Sequence, residues 1–398
     1  MQISRTKLIF SAIGLMVITA VMTVGIYTWA LTGDAYGALR LWVGMKIVST
    51  QYVDPVKSDQ LMNGAIQGMV KSLGDPYSSY MDEKTLSAFM AETKGSFSGV
   101  GIVLGMKDNQ LSVIAPIEGT PGERAGVKPG DFIRKIDGQE TKNFSLEDAV
   151  NRIRGAEGTS VVLTLERASK ENPDTTETLE VTLVRENIKI KTVSGKMLEG
   201  DVGYVRLTSF SETSSADFSA KLTELDQQGM KKLVLDLRNN PGGLLHTSVE
   251  IAGMLLKEGE VVSVINRSGQ KEISRSGGPN DRYESLVVLI NGGSASASEI
   301  LAGAIQDRHE GTLVGTKSFG KGSVQLLYPL DLEQKTAVKL TIAKYYTPSG
   351  RSIHGTGLEP DIQIEWTGDG PAGEIATDLQ LKKALEIIQS KPTNPPAQ

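Results

Sequence analysis

Two short stretches of the sequence hold residue types and spacings suited to covalent chemistry. The first runs Leu286-Val-Val-Leu-Ile-Asn-Gly-Gly-Ser294-Ala-Ser296-Ala-Ser298-Glu299, which reads as an apolar strand, a turn of small residues and a helix beginning near Ala297. A serine at such a junction sits at a helix N-terminus, where unpaired N–H groups and the helix dipole favour developing negative charge. Ser296 is therefore a candidate nucleophile. The same residues fit a capping box, with Ser296 at the N-cap and Glu299 three positions on. Taken alone, the cap is the plainer reading.

The second stretch is Gly315-Thr-Lys-Ser318-Phe-Gly320-Lys321-Gly-Ser-Val-Gln325. Its Gly315-x4-Gly320-Lys321 spacing approaches a phosphate-binding loop. However, Gly322 stands where a magnesium-holding Ser or Thr is needed, and the run continues as a strand instead of a helix. Ser318-Phe-Gly-Lys321 matches the S-x-x-K of penicillin-binding enzymes without their companion Ser-Asp-Asn or Lys-Thr-Gly. A Ser-His-Asp arrangement has only His246, His309 and His354 to draw on. His246 follows a glycine turn, and His309 lies in the polar run Asp307-Arg-His-Glu310, which reads as a solvated helix end.

These segments belong to a chain of 398 residues, long enough for two or three domains. It has 39% hydrophobic and 22% charged residues, which excludes collagen, coiled coil and wholesale disorder. A net charge of -5 gives no electrostatic reason to bind nucleic acid. With no cysteine, thiolate chemistry and Cys-based metal sites are excluded, and three histidines leave little for a His-rich metal site. No metal and no cofactor are expected.

The run from Leu8 to Gly33 carries no charge and follows Arg5 and Lys7. About 20 apolar residues span a bilayer, whereas a cleavable signal has an apolar region of about 7 to 15. The expectation is an uncleaved membrane helix, or failing that a cleaved signal, with the basic end in the cytoplasm and everything after Asp34 outside it. Residues 36–93 read as helices broken at Asp54-Pro55 and Gly74-Asp75-Pro76. From Gly95 the pattern turns to short strands, at Ile102–Leu104, Leu111–Ala115, Phe132–Ile136, Val161–Leu165 and Leu179–Val184, with a helix near Leu146–Arg154 and a polar loop at 169–176. Strands at Val202–Leu207, Leu233–Leu237 and Leu286–Ile290, each leading to a helical pattern, indicate α/β layers. The tail past Pro392 reads as disordered.

Ser98-Gly99-Val100-Gly101-Ile102 puts a glycine turn beside an apolar strand. Backbone N–H groups there can hold a carboxylate while a peptide adds along Ile102–Leu104. Together with Pro121-Gly-Glu-Arg-Ala-Gly-Val-Lys-Pro-Gly-Asp131, it makes 97–184 resemble a PDZ domain of the strand order found in proteases. The two chemical segments, with Leu233-Val-Leu-Asp-Leu-Arg-Asn-Asn-Pro-Gly242-Gly243, resemble the C-terminal processing, or tail-specific, serine peptidases. That resemblance implies a multidomain α/β protein. Its expected parts are a membrane segment (1–33), a helical dimerisation region (34–94), a mostly β PDZ domain (95–186), a crotonase-like α/β peptidase core (187–370) and a C-terminal helix with a disordered tail (371–398).

The resemblance further implies that Ser296 is the nucleophile, Lys321 the base and Gln325 the residue orienting it. The Gly242 and Ala297 N–H groups would form the oxyanion hole, with adjacent Gly243 as the other candidate. Gly99, Val100, Gly101 and Ile102 would hold the tail, and Arg154 would sense it. The helix over Ile375–Gln389 would join the helical region as a dimer contact. Lys321 must be neutral to accept a proton, which from a reference near 10.4 to about 7 to 8 takes a fall of roughly three units. The implied activity is an extracytoplasmic endopeptidase acting on protein C-terminal tails. The alternative is a catalytically silent, membrane-anchored PDZ adaptor.

Overall fold

The computed structural model describes residues 5–107, 109–168, 175–277, 283–333, 335–366 and 373–390, and the expected disordered tail past Pro392 lies outside them. The chain divides into two compact units, Met1–Tyr80 and Met81–Gln398.

The first unit holds helices α1 (Arg5–Thr32), α2 (Ala35–Gln51) and α3 (Ser58–Lys71). Asp34 starts α2 by accepting the Gly37 N–H at 2.8 Å. The interruption before α3 falls at Asp54-Pro55, as the sequence indicates. The expected membrane-spanning helix is not supported: among the described residues no helix is long and apolar enough to cross a membrane. In α1 the continuous stretch with described side chains runs only from Ile13 to Ile26, short of the about 20 residues a span needs. The ends of the uncharged run fall outside that stretch.

The second unit opens with α4 (Glu83–Lys94), which ends at Gly95 with φ 69°. A Cβ there would stand 2.4 Å from Ser211 Oγ, so only glycine lets the helix stop against the core. Strands β1 (Ser96–Gly99) and β7 (Glu186–Lys189) pair antiparallel at the entrance and exit of the intervening module. Between them β2 (Ile102–Lys107), β3 (Gln110–Pro116), β4 (Phe132–Ile136), β5 (Ser160–Ala168) and β6 (Thr176–Val184) form an antiparallel sheet in that order. Helix α5 (Leu146–Ile153) starts at a Ser145–Asp148 capping box. Leu111, Val113, Ile133, Val161 and Leu163 fill the core, the inward half of strands that alternate in sequence, together with Val100 from the turn before β2.

The remaining sheet has the order β8 (Val193–Met197), β9 (Val202–Leu207), β10 (Lys232–Asp236), β13 (Ser285–Ile290), β14 (Thr312–Gly315) and β17 (Ile362–Gln363), parallel from β9 onward. Helices α6 (Ser214–Gln227), α7 (Leu245–Leu255) and α8 (Ala297–Asp307) share a core with Leu235, Leu237, Val288 and Ile290, one face of the sheet. Helix α9 (Leu379–Ser390) buries Leu381, Ala384 and Ile388 against Val234, Val287 and Leu289 on the other. Burial on both faces explains why these strands read as continuous apolar runs. The apolar face of this final helix, expected from the sequence over Ile375–Gln389, is thus turned to its own sheet. A second sheet is built on β16 (Ala337–Tyr346), antiparallel to β15 (Ser323–Pro329) and to β11 (Gly259–Asn266), which pairs with β12 (Lys271–Ser276).

Candidate active site

Strand β13 delivers the first chemical segment to the carboxyl end of the parallel sheet. After it, Ser294 Oγ donates to Leu237 O at 2.8 Å and the Ala295 N–H to Asn240 O at 3.0 Å, tying this turn to the loop after β10. Ser296 then takes φ 55° and ψ -115°, a conformation rare for a residue with a Cβ. The strain is held by Glu299, whose fully buried carboxylate accepts the Ser296 N–H at 2.9 Å. The expected cap thus exists, and it fixes the backbone of the candidate nucleophile.

The same carboxylate reaches the second segment. It accepts Ser318 Oγ at 2.5 Å, the Gly320 N–H at 2.7 Å and the Lys321 N–H at 2.9 Å. Glu299 therefore holds both segments from a single point. Ser318 also receives the Leu358 N–H at 2.7 Å and is buried, so it serves as a strut. Tyr345, on β16, directs its hydroxyl to the backbone oxygens of Ser296, at 3.1 Å, and of Lys321. Neither the reach of Glu299 nor Tyr345 was legible in the sequence, because both act across gaps of about twenty residues or more that no local pattern spans.

The loop after β10 supplies a third wall. Asn240 is buried and donates to Leu207 O at 2.8 Å, while its Oδ1 accepts the Gly242 N–H at 2.9 Å. The N–H assigned to the oxyanion hole is thus engaged by an Asx turn. Gly242 matters for closeness: a Cβ there would lie 2.6 Å from Ala295 O and 2.9 Å from Ala297 N, at φ +99°. Gly243 lines the cavity, and among the described residues its N–H meets no acceptor. The Ala297 N–H, first in α8, lacks an intrahelical acceptor by position.

Ser296, Ala297, Lys321, Gln325, Gly242, Gly243 and Tyr345 line one cavity of about 340 Å³, with Leu244, Leu245, Ile300 and Val324 as apolar wall. Helix α4 contributes Phe89, Glu92 and Thr93. No histidine lines it, and His246, His309 and His354 are exposed. Gln325 shares the cavity with Lys321 beside a register shift between Val324 and Gln325, and its amide donates to Ser323 Oγ at 2.9 Å and Thr341 Oγ1 at 3.2 Å.

In the middle module, β2 is an end strand of its sheet, leaving an edge for a further strand. The Val100 carbonyl accepts the Gly122 N–H at 2.8 Å and the Gly101 carbonyl the Ile117 N–H at 2.8 Å. Each peptide is planar, so the N–H groups of Gly101 and Ile102 face the opposite way, as a carboxylate cradle requires. Arg154 lies over the Phe97 ring, 5.0 Å from its centroid, beside Gly99. Arg185 sets this end of α5 by donating to Ile153 O and Arg152 O, both at 2.9 Å. Sequence reading missed it, since an arginine between two strands gives no sign of capping a helix thirty residues earlier.

Comparison with known proteins decides the family. Peptidase family S41 matches residues 201–364, a PDZ domain matches 112–167, and the N-terminal domain of the activating protease CtpB matches 40–85. A carboxy-terminal-processing protease of Bartonella bacilliformis is 44% identical over 325 residues, covering 80% of this chain and 73% of that protein. The chain belongs to peptidase family S41. It is a C-terminal processing serine peptidase with a PDZ domain, and it hydrolyses peptide bonds. This peptidase is also 36% identical to the carboxy-terminal processing protease CtpA of Bacillus subtilis, over 80% of this chain and 67% of the other. The structure of a putative S41 protease from Bacteroides fragilis, 18% identical, shares the fold with a TM-score of 0.50 over 81% of this chain and 90% of that one.

A buried ionic network steadies the glycine loop of the peptidase. Arg238, 2% exposed, donates to both oxygens of Asp236, at 2.9 and 2.6 Å, and of Asp378, at 2.9 and 2.7 Å. Its ring neighbour is Trp366, 5.1 Å away. Burial pushes the Asp378 carboxyl upward, but the hydrogen bonds from Arg238 and the Gly373 and Leu381 N–H groups outweigh it and hold the pKa below the usual value.

Proposed function

We propose that the peptidase cuts its substrates with a Ser296–Lys321 dyad, outside the cytoplasm, at C-terminal tails captured by its PDZ domain. The observation that carries this reading is the shared Glu299 carboxylate, which locks the strained backbone of Ser296 and the backbone of Lys321 into one cavity. Ser296 Oγ attacks the scissile carbonyl while its proton passes to Lys321 Nζ. The amine leaves with that proton, and water activated by Lys321 releases the acyl group. Ala297 and Gly243 N–H groups receive the oxyanion, Gly243 replacing Gly242 because the Gly242 N–H is held by Asn240. Gln325 lines the base side of the cavity and orients it.

The PDZ edge at β2, with Gly99, Val100, Gly101, Ile102 and Arg154 at its head, takes the tail. Helix α1, which opens with Arg5 and Lys7, is the targeting or anchoring segment, and the helical region of the first unit is the homodimer contact, with Tyr36 69% and Trp42 64% exposed on α2. The silent-adaptor alternative is not favoured, since it needs loss of Ser296 or Lys321 and both are present. The test is replacement of each dyad member: Ser296→Ala and Lys321→Ala abolish peptide cleavage with the fold retained, and the double variant is little worse. Ser318→Ala keeps the chemistry. Cleavage by Ser296→Ala at the normal rate would remove the assignment.

A further inference from the structure

Resting on the dyad reading, we propose that Tyr345 is a positioning residue that aims the oxyanion-binding N–H of Ala297 and sets the nucleophile against the base. Tyr345 is 1% exposed and sits on β16, alongside the strand that follows Lys321. Its N–H donates to Gly322 O at 3.1 Å, which fixes its backbone next to the base segment. From there its hydroxyl lies 3.1 Å from Ser296 O and also reaches Lys321 O. A phenol has one proton to give, so the two carbonyls share it and are held to one point in space.

The consequence follows from peptide planarity. The Ser296 carbonyl and the Ala297 N–H belong to one trans peptide and point in opposite directions. The carbonyl already accepts the Ile300 N–H at 2.9 Å as the first bond of α8. The hydroxyl of Tyr345 fixes it from a second direction, which removes rotation of that plane and leaves the N–H aimed into the cavity. Glu299 anchors the preceding peptide through the Ser296 N–H at 2.9 Å. Without a second anchor, a residue at φ 55° has every reason to relax toward a commoner conformation, turning the donor away. The interaction serves the transition state above the bound substrate, because negative charge on the carbonyl oxygen develops only after attack.

Tyr345→Phe keeps the ring and removes only the hydroxyl. In the full chain, kcat for a peptide substrate is expected to fall ten- to a hundredfold with KM within twofold. A peptide aldehyde tests the aim directly. Ser296 Oγ bonds to its carbonyl carbon, the carbonyl electron pair moves to oxygen and the hydroxyl proton passes to Lys321. Aldehyde affinity should fall by the same factor as kcat, while affinity for the matching peptide alcohol stays unchanged. That affinity ratio is read on folded protein alone, so it decides the matter even if the variant is less stable. A wild-type kcat in Tyr345→Phe, or equal losses for aldehyde and alcohol, overturns the proposal. Ser296→Ala in the same assay separates the two readings: if it cleaves normally, the dyad falls and the proposal with it. If it is inactive while Tyr345→Phe is unimpaired, only the role of Tyr345 falls.

Discussion

Replacing Glu299 by glutamine changes one heavy atom and strikes both segments that line the candidate site. The carboxylate receives four donors: Ser318 Oγ and the Gly320 N–H on Oε1, and the Ser296 and Lys321 N–H groups on Oε2. A glutamine amide must present an NH2 group to one of these pairs. On the Oε2 side it would confront two backbone N–H groups, neither of which can reverse. On the Oε1 side Ser318 can turn its hydroxyl to accept, and only the Gly320 N–H is stranded. The second placement is cheaper. It still loses one hydrogen bond to a charged acceptor, about 1.5 to 3 kcal/mol, and leaves buried donors facing each other, about 1 to 3 kcal/mol more. Glu299→Gln should therefore cost roughly 3 to 6 kcal/mol, measured by urea unfolding in a Ser296→Ala background that prevents self-cleavage. In the active background kcat should drop more than tenfold, because any relaxation of Gly320 shifts Lys321. A variant within 1 kcal/mol of the parent and within twofold in kcat/KM would refute the idea that this carboxylate holds the dyad together.

Gly242→Ala should lose activity at least a hundredfold in a cleavage assay while keeping its circular dichroism, because the new methyl would sit 2.6 Å from Ala295 O and force the glycine loop off the nucleophile turn. A substrate with a free apolar C-terminus should be cut about ten- to a hundredfold more efficiently than its amidated form, the worth of a charge-assisted hydrogen bond to the carboxylate, and removal of 97–184 should erase the difference. Changing His246, His309 and His354 to glutamine together should leave turnover within a few fold, as none lines the cavity. Asp378 and Asp307 both titrate below their ordinary value when folded: burial pushes each upward, and hydrogen bonds, from Arg238 to Asp378 and from Ser349 and Thr347 to Asp307, more than offset it. Their contribution is thus complete above the unfolded value of about 3.9 and lost as pH falls through the lower folded values, so melting of the Ser296→Ala protein should be flat from about pH 5 to 8 and decline below about 4.

The legible parts of the molecule are those written in local pattern. The helix breaks at Asp54-Pro55, the alternating strands of the PDZ domain, the doubly buried strands Val202–Leu207 and Ser285–Ile290 and the helix start at Ala297 all follow from periodicity and turn chemistry. Ser296 and Glu299 were readable as a cap, and the structure makes that cap part of the site. Which of two adjacent glycines offers a free N–H was not readable, because the choice is made by the rotamer of Asn240. Gln325 was paired with Lys321 through the family resemblance; in a regular strand a spacing of four keeps both on one face, but the register shift at Val324/Gln325 alters that face count. What the apolar stripe of the final helix packs against was not readable, because a single amphipathic stripe does not say which surface it covers. Its partner is the sheet of its own chain.

The clamp on Arg238 also sets an order of events. The glycine loop begins at Arg238, and the second carboxylate of its clamp, Asp378, lies 140 residues further on. A guanidinium this deeply buried is costly with half its partners missing. During synthesis Ser296, Lys321 and the loop therefore all exist before the residue that completes the loop's footing has been made. In the growing chain the glycine loop is therefore braced last, when the segment around Asp378 folds down and α9 covers its face of the sheet.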